Sequence, residues 1–226
     1  LCHRMTGVTP LHPGLLPTGV TVADMARAVR LAPDLRFARD RWRASSLVRW
    51  LLDPAKVKLD TPMPTLGLTA DEARDVAAYL VTAPLSALAP KPVPARLPVL
   101  DRRVTYDEVA TRVFRKTCWH CHGEPDFERG DGGPGNSGGF GFKGRGLNLS
   151  DYPSTFAGFL DDTGRRTSIF AASRDGTPYV VAAMLARQHE EAGEEPELRG
   201  MPLGLPALPA EDVQLVETWI AQGRPR

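Results

Sequence analysis

Cysteine is nearly absent from this 226-residue chain, occurring only as Cys2, Cys118 and Cys121. Three is too few for a disulfide framework and odd in number, so covalent staples do not hold this fold together. Charge of one sign is equally lacking, because 28 basic side chains meet 27 acidic ones for a net charge of +1. That balance gives no reason to expect nucleic acid or an anionic membrane as the main partner. No apolar run approaches the ~18 to 20 residues needed to span a bilayer. Continuous strand-like runs are scarce as well.

Proline and glycine are what the chain has in excess, at 21 each, together nearly a fifth of its residues. The composition predicts long ordered loops between short helices rather than extended sheets. The densest stretch is APLSALAPKPVPARLP, residues 83–98. Its five prolines rule out helix interior and central strand over most of its length. It reads as a polyproline II strap and linker between two segments, 1–82 and 99–226.

Each segment ends on the same kind of signal. In the first it is MPTLGLTADEARDVAAYL, from Met63 to Leu80. Thr69 and Glu72 have capping-box spacing, and Ala73, Val76, Ala77 and Leu80 form one apolar helical face. In the second it is MPLGLPALPAEDVQLVETWIAQG, from Met201 to Gly223. There Pro209 suits a first helical turn, Val213, Val216, Trp219 and Ile220 share a face, and Gly223 suits a C-terminal cap. Three further helices are expected. One spans Thr105–Lys116, with Thr105 and Glu108 as a second capping box and Val109, Val113 and Phe114 inward. Another is Ser46–Leu52, stopped by Asp53-Pro54. The last lies within Thr177–Glu191, with Val180, Val181, Met184 and Leu185 along one side.

The chemistry is carried by Cys118-Trp119-His120-Cys121-His122. This is C-x-x-C-H, the attachment signature of c-type haem. Two thiols three positions apart on a helical turn can each add to one of the macrocycle's two vinyl groups, and His122 is then held beneath the iron. A zinc site would need a second ligand pair, and the remaining candidates, Cys2 and His189, stand apart. A thioredoxin-type redox pair would need a strand before the motif, where a helix is expected instead. On the other side of the iron, methionine thioether is the usual ligand in electron-transfer cytochromes. Met201, in a loop and followed by proline, is the preferred candidate. Met184 lies on the apolar face of its helix, where a core methionine is the simpler explanation.

C-x-x-C-H, a long loop, Met-Pro and a terminal amphipathic helix together resemble class I cytochrome c over Val99 to Gly223. The resemblance implies an all-α fold in which the first and last helices cross, with Phe114 and Trp219 at the crossing, and Met201 closing over a haem held by Cys118, Cys121 and His122. Residues 1–82 carry the same family ending at Met63-Pro64. Ala32-Pro33-Asp34-Leu35 and SLVRWLLDP also look like the middle of such a domain. Pro33 is then the residue whose carbonyl supports the ligand histidine. Cys2-His3 reads as the end of a second C-x-x-C-H whose first cysteine and attaching helix lie before Leu1. An ordinary buried thiol is the plainer reading of Cys2. The resemblance thus implies two tandem class I cytochrome c domains with two covalent haems, His3 and Met63 ligating one iron, His122 and Met201 the other.

The implied function is transfer of single electrons between redox protein partners, in a periplasmic or otherwise extracytoplasmic location, where haem is attached. A subunit of a respiratory or photosynthetic membrane complex is compatible with this, as is an export signal or anchor upstream of Leu1. The alternative is a dihaem enzyme, a peroxidase or sulfur-compound dehydrogenase, with one open iron site. His189 and Glu190 are the adjacent pair that could move protons there. Other signals carry less. Gly133 to Gly138 matches G-x-G-x-x-G without the strand and helix that a dinucleotide site needs. The glycine-rich run 130–146 reads either as a loop near the haem edge with Phe140 and Phe142 inward or as a surface loop. Glu190 to Glu197 reads as a solvated insertion. Arg36, Arg39, Arg41 and Arg43 are candidate propionate partners, with a solvated face as the default. His12 and His120 read as surface or loop residues.

Overall fold

The computed structural model describes residues 3, 5–8, 34–57, 61, 63–123 and 144–226. Cys2, Pro33, His12 and the glycine-rich run up to 143 lie outside the described residues, as does the side chain of His120. The described chain is predominantly helical and divides into two compact units, 1–89 and, from Pro90, the remainder.

In the first unit, Asp34 caps a short turn, Leu35–Phe37, that continues into α1 (Ala38–Arg41). Then come α2 (Ala44–Leu52), α3 (Pro54–Val57) and α4 (Ala70–Thr82). The capping box of α4 is complete. Thr69 Oγ1 accepts the Glu72 N–H at 3.3 Å, and Glu72 Oε2 accepts the Thr69 N–H at 2.8 Å. Those bonds from Thr69 hold the Glu72 carboxyl below its usual range. At the other end, Arg39 Nη2 donates to Leu80 O (3.1 Å) and Ala83 O (2.9 Å), filling carbonyls that the helix leaves open. Leu47 and Leu51 of α2 meet Ala73, Ala77 and Leu80 of α4. Val76, expected on that face, is 37% exposed. On the helix it lies about 100° around from Ala77 and about 60° from Ala73, outside the narrow contact of those two small residues.

In the second unit, α5 (Tyr106–Val109) runs through a π-helical stretch, Ala110–Cys118, into α6 (Trp119–His122). Thr105 caps it as expected, but Glu108 does not complete a capping box. Its carboxylate turns to Arg102 (2.8 and 2.5 Å), where a bidentate ion pair is the stronger contact. After α7 (Tyr152–Thr155), β1 (Phe159–Leu160) and β2 (Arg166–Thr167) form an antiparallel hairpin. Two longer helices, α8 (Tyr179–Glu191) and α9 (Ala210–Ala221), complete the unit. Val109, Val113 and Phe114 bury fully against Val213, Val216 and Trp219, joined by Val181 and Met184 of α8. Phe114 and Trp219 meet edge to face at 6.1 Å. Gly223, at φ +80°, ends α9, its N–H bonding Ile220 O while Arg224 N–H reaches Trp219 O. This is the Schellman arrangement, in which glycine is favoured.

No helix or strand occurs over 84–100. The part from Pro90 is bound along the second unit rather than free. Lys91 N–H donates to Glu191 O at 2.9 Å, Arg96 Nε to Glu217 at 3.2 Å, and Leu100 N–H to Thr218 Oγ1 at 3.0 Å. Proline has no N–H to offer a helix or sheet, so the strap is fixed by separate main-chain and side-chain bonds to α8 and α9.

Replacing Thr69 by Ala removes the cap of α4 and is expected to cost about 1 kcal/mol of first-unit stability. Denaturant titration at neutral pH measures it. Because the folded-state carboxyl of Glu72 is depressed, its share of stability is present above the ordinary glutamate range and lost as pH falls through the folded value. The difference between wild type and Glu72→Gln therefore shrinks on acidification.

Candidate functional site

The C-x-x-C-H motif ends the helix that begins at Tyr106, so its geometry is set by that helix's buried face. The Trp119 N–H bonds Phe114 O, five residues back, which widens the turn just where the motif starts. Cys118 and Cys121 are in no disulfide and are both half-buried. Cys118 Sγ lies 3.8 Å from Val113 O. Burial, with the neighbouring Cys121 thiol adding to it, pushes the Cys118 thiol up to about 12. Two thiols outside any disulfide on one turn, with a histidine beside them, form the donor set that covalent haem attachment needs.

The segment 147–149 fastens this turn. Trp119, 2% exposed, donates its indole N–H to Leu149 O at 2.9 Å, and Leu149 N–H donates to His122 O at 2.6 Å. Arg115 stacks over the Trp119 ring, its guanidinium carbon 5.4 Å from the centroid. His122 is half-buried, with its Nδ1 inside. Gly123 follows where a Cβ would stand 2.7 Å from Trp119 O. Nothing in the sequence pattern pointed to Leu149. Its signal was the tryptophan inside the motif, since a buried indole N–H requires an acceptor.

Met201 lies in the loop that precedes α9. It is half-buried, and its N–H donates to Ala183 O of α8 at 2.8 Å. Met184 is 3% exposed and belongs to the apolar core. The loop 200–208 leans on the last turns of α8. Glu190 and Glu191, expected in a solvated insertion, are both engaged here. Glu190 accepts the Gly200 N–H (2.7 Å), while Glu191 accepts the Ala207 N–H (2.9 Å) and the Lys91 ammonium (2.7 Å). Burial would raise the Glu191 carboxyl, but Lys91 and the Ala207 amide outweigh it and hold it low. The remainder of the acidic run behaves as a surface: Glu194 meets His189 Nδ1 at 2.8 Å, and Glu197 meets Arg174.

In the first unit His3 and Met63 are both half-buried. Met63 packs against the α2–α4 cluster, and its Sδ accepts the indole N–H of Trp50 at 2.9 Å. Trp42 backs Trp50 at 5.5 Å between centroids. The sequence reading missed Trp50, although its place four residues before Pro54 put a polar-tipped ring beside the methionine loop. Met5 joins the same cluster and was not weighed. Arg36 and Arg39 are neither a solvated face nor free for an anionic group. Arg36 binds Thr6 O and Ser86 O, and Arg39 caps α4. Among the described residues no group of three or more His, Cys, Asp or Glu side chains converges as a metal cage would require.

Comparison with models of known families, with curated proteins and with solved structures finds no match.

The raised Cys118 thiol has a direct chemical consequence. In polypeptide whose thiols are unmodified, its thiolate fraction near neutral pH is about a thousand times smaller than that of an ordinary cysteine. Iodoacetamide is therefore expected to label Cys118 slowly when folded and rapidly when unfolded, with the folded rate still rising beyond pH 10. Mass spectrometry of the tryptic peptide reads both rates, and equal labelling in the two states removes the burial argument.

Proposed function

We propose that the chain is a dihaem c-type cytochrome that passes single electrons between redox protein partners outside the cytoplasm. The observation that carries this reading is the C-x-x-C-H turn itself. Its two cysteines are in no disulfide, its histidine is adjacent, and it terminates a helix locked to α9 through Phe114 and Trp219. Under the proposal Cys118 and Cys121 bind the haem of the second unit, with His122 and Met201 as its axial ligands. Cys2, His3 and Met63 serve the first unit in the same roles, with Pro33 supporting His3, and each unit is a class I cytochrome c domain. Bound, the haem supplies a one-electron couple whose potential its axial ligands and burial set.

The residues do no acid–base work in this scheme. Their task is to hold each ligand and to keep water from the buried edge. Soft thioether sulfur suits the reduced iron, and Met63 already sits with its sulfur directed by Trp50. The competing enzymatic reading relied on His189 and Glu190 moving protons. His189 is 41% exposed and faces Glu194, while Glu190 is committed to Arg187 and the Gly200 amide. That pair has structural employment. The partners we propose are redox proteins, a membrane-bound electron-transfer complex among them.

The native holoprotein is expected to carry two thioether-linked haems per chain, counted from its alkaline pyridine spectrum. Both ferric haems are expected to show the weak red absorption band of methionine–iron ligation. Met63→Ala and Met201→Ala each remove one of the two contributions. A ratio of one haem per chain, or a band left at full intensity by either substitution, overturns the assignment at that unit.

A further inference from the structure

Loop 200–208 has no regular structure and is rich in proline and glycine, so it holds its shape only through what it touches. Nearly all of those contacts come from one stretch of α8. Gly200 N–H goes to Glu190 Oε1 (2.7 Å), Met201 N–H to Ala183 O (2.8 Å), and Ala207 N–H to Glu191 Oε1 (2.9 Å). In the opposite sense, Arg187 Nε donates to Leu205 O (2.9 Å) and Gln188 Nε2 to Leu208 O (2.8 Å). Arg187 also pairs with Glu190 at 2.9 Å, which orients both groups. These side chains are largely buried, Arg187 to 12% exposure and Glu191 to 15%. Charge-assisted bonds of this kind are stronger than neutral ones and fix direction as well as distance.

Gly200 sharpens the argument. A Cβ there would stand 2.5 Å from Arg187 Cα and 2.6 Å from Arg187 N. The chain just before Met201 is therefore seated on the helix backbone itself, where only glycine fits. We propose that Arg187, Gln188, Glu190 and Glu191 form a latch that positions loop 200–208 and so keeps Met201 in place as an axial ligand. The proposal rests on the reading of Met201 as a ligand. It assigns a job to Glu190 and Glu191, the start of the acidic run. The latched groups are main-chain amides and carbonyls of the loop, so the latch fixes register and not merely proximity. Met201 is placed by its neighbours' backbone.

The test is exchange of the methionine ligand for added imidazole in the full-length ferric holoprotein, followed at each haem by loss of the red band. Glu190→Ala is expected to speed exchange at the second haem by about ten-fold or more, as the loss of a hydrogen bond to a charged group implies. The haem of the first unit keeps its native rate and serves as the internal control. Glu190→Gln retains an acceptor for Gly200 without the ion pair and falls between. Gly200→Ala, which keeps every latch residue but sets a Cβ against the Arg187 backbone and Glu190 Oε2, also speeds exchange because it lifts the loop. Unchanged exchange in Glu190→Ala or in Gly200→Ala overturns the latch, even where the melting temperature drops, since that outcome is stability alone. A native protein without the methionine band at the second haem overturns the ligand reading, and the latch with it. A native band with variant rates at the wild-type value overturns the latch only.

Discussion

Trp219 has no exposed surface, and its ring meets those of Tyr106, Phe114, Tyr152 and Phe170 at centroid distances between 5.7 and 6.5 Å. Its indole N–H is answered by Pro225 O at 2.9 Å. One residue thus joins the first helix, the α7 region, the segment before α8 and the C-terminus of the second unit. Aromatic pairs of this kind add about 0.5–1.5 kcal/mol each beyond the area they bury. The consequence is geometric. Helix 106–122 cannot rotate about its axis without breaking the Phe114 contact, and the thiol turn rides on its end. The closure is reinforced from the chain's end, where Gln222 binds Val104 N–H and Arg102 O, and Pro225 O also receives the Tyr106 N–H.

From that fixed point the two halves of the second site are held by different means. The thiol turn is fastened by few, short, inward bonds: an indole to Leu149 O and a Leu149 amide to His122 O. The methionine loop is fastened by several bonds from charged side chains at the edge of the unit. Inward bonds within an apolar core open only when the core opens. Bonds from part-buried side chains to a loop without regular structure can open locally, at lower cost than global unfolding. The covalent attachment and axial bond proposed for these residues would call for that division.

How much of this was legible beforehand follows from which interactions are local. Thr69 with Glu72, Thr105 as a cap, Gly223 as a terminator and the buried faces of α4 and α9 are set by neighbours within a turn, and the sequence carries them. Val76, Glu108, Glu190 and Glu191 were misjudged for one reason. Each is decided by a partner remote in the chain or by the width of a packed contact, and periodicity is blind to both. Glu191 shows it best: its partners are Lys91 and Ala207, one in the proline strap and one in the methionine loop. The strap itself was recognised by its prolines, yet nothing in them said that it would lie bound from Pro90 onward. Trp50 and Leu149 were missed because a donor in the sequence announces a need without naming its acceptor.

The two methionines also differ in how they are held, and the difference bears on the proposed chemistry. Met201 is placed through its backbone, by Ala183 O and the seat at Gly200. Met63 is placed through its sulfur, which takes the Trp50 N–H, with Thr61 Oγ1 on its own amide. A thioether has two lone pairs. At Met63 one is already engaged by a donor, leaving a single lone pair, of lowered donor strength, for a soft metal. At Met201 the support comes from the backbone instead. Weaker sulfur donation and a hydrogen bond to the ligand are among the levers by which a protein sets a haem potential. Two units with the same nominal ligand pair would then be tuned apart by one indole N–H. Two haems bound as proposed would then differ in potential, which identical sites would not provide.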